Sequence, residues 1–337
     1  MMLINKLKTK LLAILLIIAT LISSITFMPI KANAYSSSDS IVDLSDYTKM
    51  LKVNTSTMTL YYVISIKDED INISTPYNTA VLYGIELKKN STNGLTIPAT
   101  VKYKDNNGEQ YICRVTAVAG GIKNSKDNYK LQGKLDFSKA IYCTKVDSYA
   151  FALSSSKAKT GFLITSLNLG NVTKIGKSAF AGNSHLTSVT MNKVTTIYDC
   201  AFYECSRLKT IYMPKVNFID KCAFYNCTNL RIVTFASTTK ISKIGQKAFY
   251  GCQYLYLIRL KNANGTYTNN KLPKVNTIDE YAFMGSFKRI SLNTSKVNAY
   301  AFSYCRNLTK VTNSNKKCKY DTNAFAYTPY GTKNKRK

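Results

Sequence analysis

The chain has 337 residues, a formal net charge of +29, nine cysteines, no tryptophan and a single histidine. One histidine excludes metal centres built on that residue, and no H-E-x-x-H, G-x-S-x-G or P-loop spacing occurs. Beyond the first 34 residues, no stretch approaches the ~18 apolar residues that a membrane-spanning helix requires.

Lys6, Lys8 and Lys10 precede a nearly unbroken apolar run from Leu11 to Ile22, and Ala32-Asn33-Ala34 offers a small-x-small cleavage site. Residues 1–34 are therefore expected to be a signal peptide, leaving an exported chain without a membrane span. In residues 35–94, Ser36 to Ser40 reads as a linker and Asp68-Glu69-Asp70 as a solvated acidic cluster. Leu60–Ile66 and Thr79–Leu87 are rich in β-branched and aromatic residues and read as strands. They predict a β-rich, hairpin-like cap over the first coil of the repeats that begin near residue 95.

Those repeats are marked by a dipeptide. Ala-Phe recurs at residues 150, 179, 201, 223, 248, 282, 301 and 324, with spacings of 29, 22, 22, 25, 34, 19 and 23 residues. An aliphatic residue stands four places before seven of these alanines: Val146, Ile175, Ile197, Ile219, Ile244, Ile278 and Val297. The clearest unit begins at Leu208. Ile211 and Met213 alternate with Thr210 and Tyr212, as in a short strand with one buried side. Pro214 suits the strand's end, Val216 and Ile219 turn inward again, and Ala223-Phe224 fill the far side. One such coil has too little apolar surface for a core, whereas stacked copies share a continuous one. The predicted fold is a repeat solenoid over residues 95–330, mainly β. It should have a parallel sheet on one face and about eight 22-residue coils, degenerate at both ends. Residues 331–337 are left as a basic tail.

The unit Ile197-x-x-x-Ala201-Phe202-x-x-Cys205-x-x-Leu208-x-x-Ile211-x-Met213-Pro214 resembles the BspA-type leucine-rich repeats of secreted and surface-attached bacterial proteins. Leu95 to Pro98 and Tyr111 to Val118 resemble the lead-in before a first full repeat, where Ala119-Gly120-Gly121 replaces Ala-Phe. The resemblance implies a leucine-rich-repeat fold and protein ligands on other cells or in matrix.

Cys205, Cys227, Cys252 and Cys305 share one repeat position, with Asn183 and Ser286 standing there in other copies. That column reads as a small side chain turned inward toward backbone groups. Cys200 and Cys222 stack in adjacent coils within the Cα range of a disulfide, but parallel side-chain directions disfavour the bridge. Zinc is not expected, because the cysteines follow the repeat rather than C-x-x-C spacing.

From residue 171 onward there are 27 Lys/Arg against 6 Asp/Glu, so the positive field belongs to the repeats and the tail. It attracts anionic partners such as cell-wall polymers and acidic glycans, or simply keeps a long solenoid soluble. No recognition helix, zinc finger or aromatic nucleic-acid motif accompanies it. On the outward strand face the repeat alignment places Thr210/Tyr212, Ile232/Thr234, Leu257/Arg259, Arg289/Ser291 and Lys310/Thr312 in order. Tyr212, Ile232, Leu257, Arg259, Arg289 and Lys310 are the candidate ligand-binding residues, with the last three basic residues expected in consecutive coils as a ladder. The insert Asn262–Asn270 reads as a projecting loop, either a contact or tolerated slack. His185 falls where other repeats place Arg207, Asn229 and Tyr254, a variable position rather than a general base. These residues predict a non-catalytic binding protein without cofactor or metal. It is expected to be secreted or surface-associated, acting in adhesion or recognition of extracellular proteins or glycans. The alternative is an electrostatic binder of anionic cell-wall polymers with an envelope-associated structural role.

Overall fold

The computed structural model describes residues 49–66, 78–119, 122–123, 129–153, 161–285 and 287–334. The expected signal peptide, the serine linker, Asp68-Glu69-Asp70, Gly120-Gly121, Ser286 and residues 335–337 lie outside the described residues.

The apolar columns of the repeat become two sheets. In the eight-stranded one, Lys130–Asp136, Gly161–Asn168, Ser188–Thr190, Thr210–Met213, Ile232–Ala236 and Leu257–Lys261 lie side by side in parallel. This is the sheet that the Ile211-x-Met213 alternation predicts. The second sheet, of fifteen strands, has no counterpart in that alternation. Its middle is built from four two-residue strands at the aliphatic position before Ala-Phe, Lys145–Val146, Lys174–Ile175, Thr196–Ile197 and Phe218–Ile219, with longer strands on either side. Val146, Ile175, Ile197, Ile219, Ile244, Ile278 and Val297 are in direct parallel register. Two residues carry no readable alternation, so this part of the sheet arises from stacking rather than from local pattern.

The same sheet runs on into the N-terminal part. Met58–Ser65 pairs antiparallel with Lys49–Asn54 and with Thr79–Leu87, and Thr79–Leu87 pairs parallel with Gln110–Val118. One apolar cluster extends from Met58 through Ala324.

The Ala-Phe turns form a third ladder. The amide of each phenylalanine donates to the next coil's alanine carbonyl, as in Phe180 to Ala201 and Phe202 to Ala223, both at 2.8 Å. A small side chain lets successive turns approach this closely. All eight rings, from Phe151 to Phe325, then stack in one file with centroids 5.1–5.6 Å apart. The turns hold left-handed residues that are mostly not glycine. Tyr149, Ser178, Cys200, Cys222, Lys247, Tyr281 and Tyr300 precede the alanine at φ of 52–60°. Such backbone costs of order 1 kcal/mol or more per residue. At Tyr149, Ser178, Cys200, Cys222, Lys247 and Tyr300 it is held because the same residue's amide reaches the next coil, for example Cys200 to the Lys221 carbonyl at 3.0 Å.

At the C-terminal end the boundary drawn at residue 330 falls inside a helix, Pro329–Asn334. Thr328 caps it, its hydroxyl accepting from the Gly331 amide at 2.9 Å, and Pro329 supplies the preset φ of a first helical residue.

Candidate functional site

Four of the six candidate residues come together on the outward face of the eight-stranded sheet. Thr210, Ile232 and Leu257 are in register across three strands, as are Tyr212, Thr234 and Arg259. Arg259 Nε donates to Thr234 Oγ1 at 3.2 Å, and Lys261 Nζ lies 5.5 Å from the Tyr212 ring centroid. Tyr212, Ile232, Leu257 and Arg259 are all half-buried, giving a patch of one aromatic ring, two aliphatic side chains and two cations.

The expected ladder of three cations does not form. Arg259 has Asn269 as its next neighbour in the sheet, not Arg289. The insert is responsible: Asn262 to Gly265 turns the chain, and Tyr267–Asn269 pairs antiparallel along the edge of Leu257–Lys261. The alternating Thr-Tyr-Thr segment after an Asn-Gly turn has the chemistry of a hairpin rather than of slack. Tyr267 stays exposed, and its ring lies 3.9 Å from the Arg259 guanidinium, a cation–π contact that fixes the arginine over the patch. Tyr267 and Lys261 thus belong to the site, although the repeat alignment alone does not select them. Arg289 and Lys310 are exposed and in register with each other, in the other sheet.

The repeat-position thiols behave as the Cys/Asn column suggests. Cys205, Cys227 and Cys252 are fully buried and donate to the Phe180, Phe202 and Phe224 carbonyls at 3.4, 3.2 and 3.2 Å. Asn183 does the same work with its amide, reaching the Phe151 and Phe180 carbonyls at 2.8 and 2.9 Å. Burial pushes Cys227 and Cys305 up to about 12. All nine cysteines are free thiols. Cys205, Cys227, Cys252 and Cys305 are therefore expected to resist alkylation in the native protein and to react fully after denaturation, as read by mass spectrometry. Rapid native labelling of any of the four would show that this column does not face the core.

Cys200 and Cys222 differ from this column. Both are half-buried, and together with Asp199 they place three ligand-type atoms within 4.8 Å of one another. The Cys200 thiol donates to Asp199 Oδ1 at 3.0 Å, and Lys221 Nζ lies 3.6 Å from Asp199 Oδ2. The hydrogen bond shared by the two sulfurs draws Cys222 down to about 7 and pushes Cys200 up.

His185 is half-buried beside Ser184, whose hydroxyl lies 3.5 Å from Nδ1. Burial, then the Arg207 charge, lowers its pKa, so at neutral pH it is an uncharged imidazole with a cationic neighbour. A general base is ordinarily oriented by a carboxylate or comparable acceptor, which Arg207 is not.

The BspA-type leucine-rich repeat region matches residues 144–270 and 261–332, with six copies. The chain belongs to the BspA-type leucine-rich repeat family. Among solved structures, this BspA-type chain is similar to a leucine-rich cell surface protein of Faecalibacterium prausnitzii. The two are 16% identical over 83% of this chain and 81% of that one, with a TM-score of 0.37. A leucine-rich repeat protein of Eubacterium ventriosum is 14% identical over 84% and 96% of the two chains, with a TM-score of 0.40. The pneumococcal vaccine antigen PcpA is 13% identical over 82% and 91%, with a TM-score of 0.27. No curated protein matches the chain. Among the described residues no helix is long and apolar enough to cross a membrane.

Proposed function

We propose that this BspA-type protein is an exported, non-catalytic binding protein that recognises extracellular or surface proteins or glycans. The patch of Tyr212, Ile232, Leu257, Arg259, Lys261 and Tyr267 is its contact face. The observation that carries this reading is the Arg259 guanidinium held over Tyr267 beside two half-buried aliphatic side chains. Interfaces draw their energy from a few such aromatic and arginine anchors at the centre of a patch, more than from exposed charge. Export rests on the N-terminal sequence, with its basic start, apolar run and small-x-small site.

A second reading, binding to an anionic cell-wall polymer, is favoured by a different observation. Several neighbouring coils set like charges side by side: Lys145 with Lys174, Lys240 with Lys274, Lys296 with Lys319, and Arg289 with Lys310. Like charges directly opposite one another destabilise a sheet, and a polyanion along the columns would relieve that cost. None of Lys174, Lys296, Lys319, Arg289 or Lys310 has a carboxylate partner among the described residues.

The two readings separate in one binding experiment on immobilised extracellular proteins, glycans and a phosphate-rich wall polymer, each at low and high salt. The double variant Arg259→Gln, Tyr267→Ala is expected to lower salt-resistant binding about ten-fold or more. A tail variant that removes three charges instead of one, with Lys335, Arg336 and Lys337 changed to Gln, should still leave it unaltered. If salt elutes all binding and the tail variant loses as much as the patch variant, bulk charge governs and the patch is not the contact face. Exposed charges are screened within about 8 Å at physiological salt, so salt should remove purely electrostatic binding.

A further inference from the structure

We infer that Asp199, Cys200 and Cys222 form a site for one soft divalent metal ion of the zinc type, held by one carboxylate oxygen and two thiolate sulfurs. The ligands come from two adjacent coils. Cys200 and Cys222 both sit immediately before an Ala-Phe alanine, 22 residues apart in sequence, and the stack converts that interval into neighbouring side chains. The three ligand atoms lie within 4.8 Å of one another, and Cys200 Sγ is already 3.0 Å from Asp199 Oδ1. A tetrahedral zinc ion with bonds of roughly 2.3 Å to sulfur and 2.0 Å to oxygen separates its ligand atoms by roughly 3.5–3.8 Å. Small side-chain rotations about the existing contacts therefore suffice.

Among the described residues the juxtaposition occurs in one place. The coil before carries Ser178 at the cysteine position and the coil after carries Lys247. Charge is arranged to suit bound thiolates. Lys221 pairs with Asp199 Oδ2, which leaves Oδ1 toward the sulfurs, so a lysine lies beside a site that would carry one net negative charge when loaded. On binding, the two S–H bonds break, two metal–sulfur bonds and one metal–oxygen bond form, and the protons leave to solvent. All three residues are half-buried, which gives an ion access and leaves a fourth position to water or to a group from outside the chain. Two thiolates favour zinc-type ions over magnesium or calcium, which prefer all-oxygen sites.

The test uses the full processed chain and Zn(II) alone, with Mg(II) as a comparison. Equilibrium dialysis is expected to give one Zn(II) per chain and no competition from Mg(II). Zn(II) should protect Cys200 and Cys222 from alkylation while Cys318, half-buried elsewhere, continues to react. Substituting Co(II) should produce a thiolate charge-transfer band. Cys222→Ser should abolish the stoichiometric binding, and the fold should tolerate it because Ser178 takes the same left-handed conformation at the equivalent position. Asp199→Asn should weaken binding by more than the roughly 10–100-fold that loss of an outer partner costs. Unchanged Zn(II) binding in Cys222→Ser, or protection of Cys318 to the same extent as Cys200 and Cys222, would overturn the inference. So would a thiol titration showing that Cys200 and Cys222 are joined in a disulfide in the protein as isolated.

Discussion

Replacing Phe224 with alanine is expected to destabilise the protein by about 3–5 kcal/mol, measured by urea denaturation at constant m-value. Phe224 is fully buried, and its ring stacks 5.3 Å from Phe202 and 5.1 Å from Phe249, within 7° of parallel to both. Truncation removes buried apolar surface and leaves a gap in the middle of the file, into which neither neighbour can collapse without leaving its own coil. Aromatic contacts of this kind are worth about 0.5–1.5 kcal/mol each beyond their area. Stability in a solenoid couples between nearest coils, so hydrogen-exchange protection should fall most around Ala201–Phe202 and Ala248–Phe249. A change under about 0.5 kcal/mol, typical of surface substitutions, would show that the file does not carry the stack.

That file is legible in the sequence because its signal is a period. Ala-Phe and the aliphatic residue four places earlier recur whatever the local secondary structure, and each column occupies one place in every coil. The left-handed turns are not legible. Glycine is the usual marker of positive φ, yet here Tyr149, Ser178, Lys247 and Tyr300 adopt it because inter-coil hydrogen bonds require it. The middle of the fifteen-stranded sheet is hidden for a related reason, since its two-residue strands exist only through their neighbours, whereas its strands at Met58–Ser65 and Thr79–Leu87 are legible from composition.

The patch is half legible. Aligning coils places Tyr212, Ile232, Leu257 and Arg259 in register, because the three extra residues in the coil between Ile232 and Leu257 add no strand to this sheet. Extending the same alignment across Asn262–Asn270 misplaces Arg289 relative to Arg259, because the insert contributes an antiparallel strand of its own to the edge. The signal that could have found Tyr267 is its alternation with Thr266 and Thr268 next to an Asn-Gly turn. The repeat alignment places Cys200 beside Cys222, but Asp199 beside them escapes because metal-ligand spacing is usually sought within one loop. In a solenoid the repeat length itself is a ligand spacing.

The second large effect is expected at Gly94, where alanine should cost roughly 3 kcal/mol or more. Gly94 has φ of +69°, and a Cβ there would stand 2.2 Å from the Lys134 carbonyl oxygen and 2.7 Å from the Lys134 nitrogen. Both obstacles are backbone, so neither can rotate away. The segment around Gly94 forms the edge of the eight-stranded sheet. Ser91 donates to the Lys130 carbonyl, Gly94 to Gln132 and Ile97 to Asp136, while Leu95 and Leu135 are in register. Relieving the overlap must lift this edge, breaking those bonds and exposing Leu95 and Ile97, both buried. The left-handed backbone adds a cost of its own, about 1–2 kcal/mol for a residue with a Cβ. Gly265 separates the two contributions. It has φ of +82° in the insert's turn, but a Cβ there meets nothing within 4 Å. Gly265→Ala should therefore lose only the conformational part, about 1–2 kcal/mol, and Gly94→Ala clearly more. Denaturation midpoints of the two variants measure the difference directly. Equal losses would mean that backbone conformation alone sets the cost, and that the strand at Leu95 can move off its neighbour without penalty.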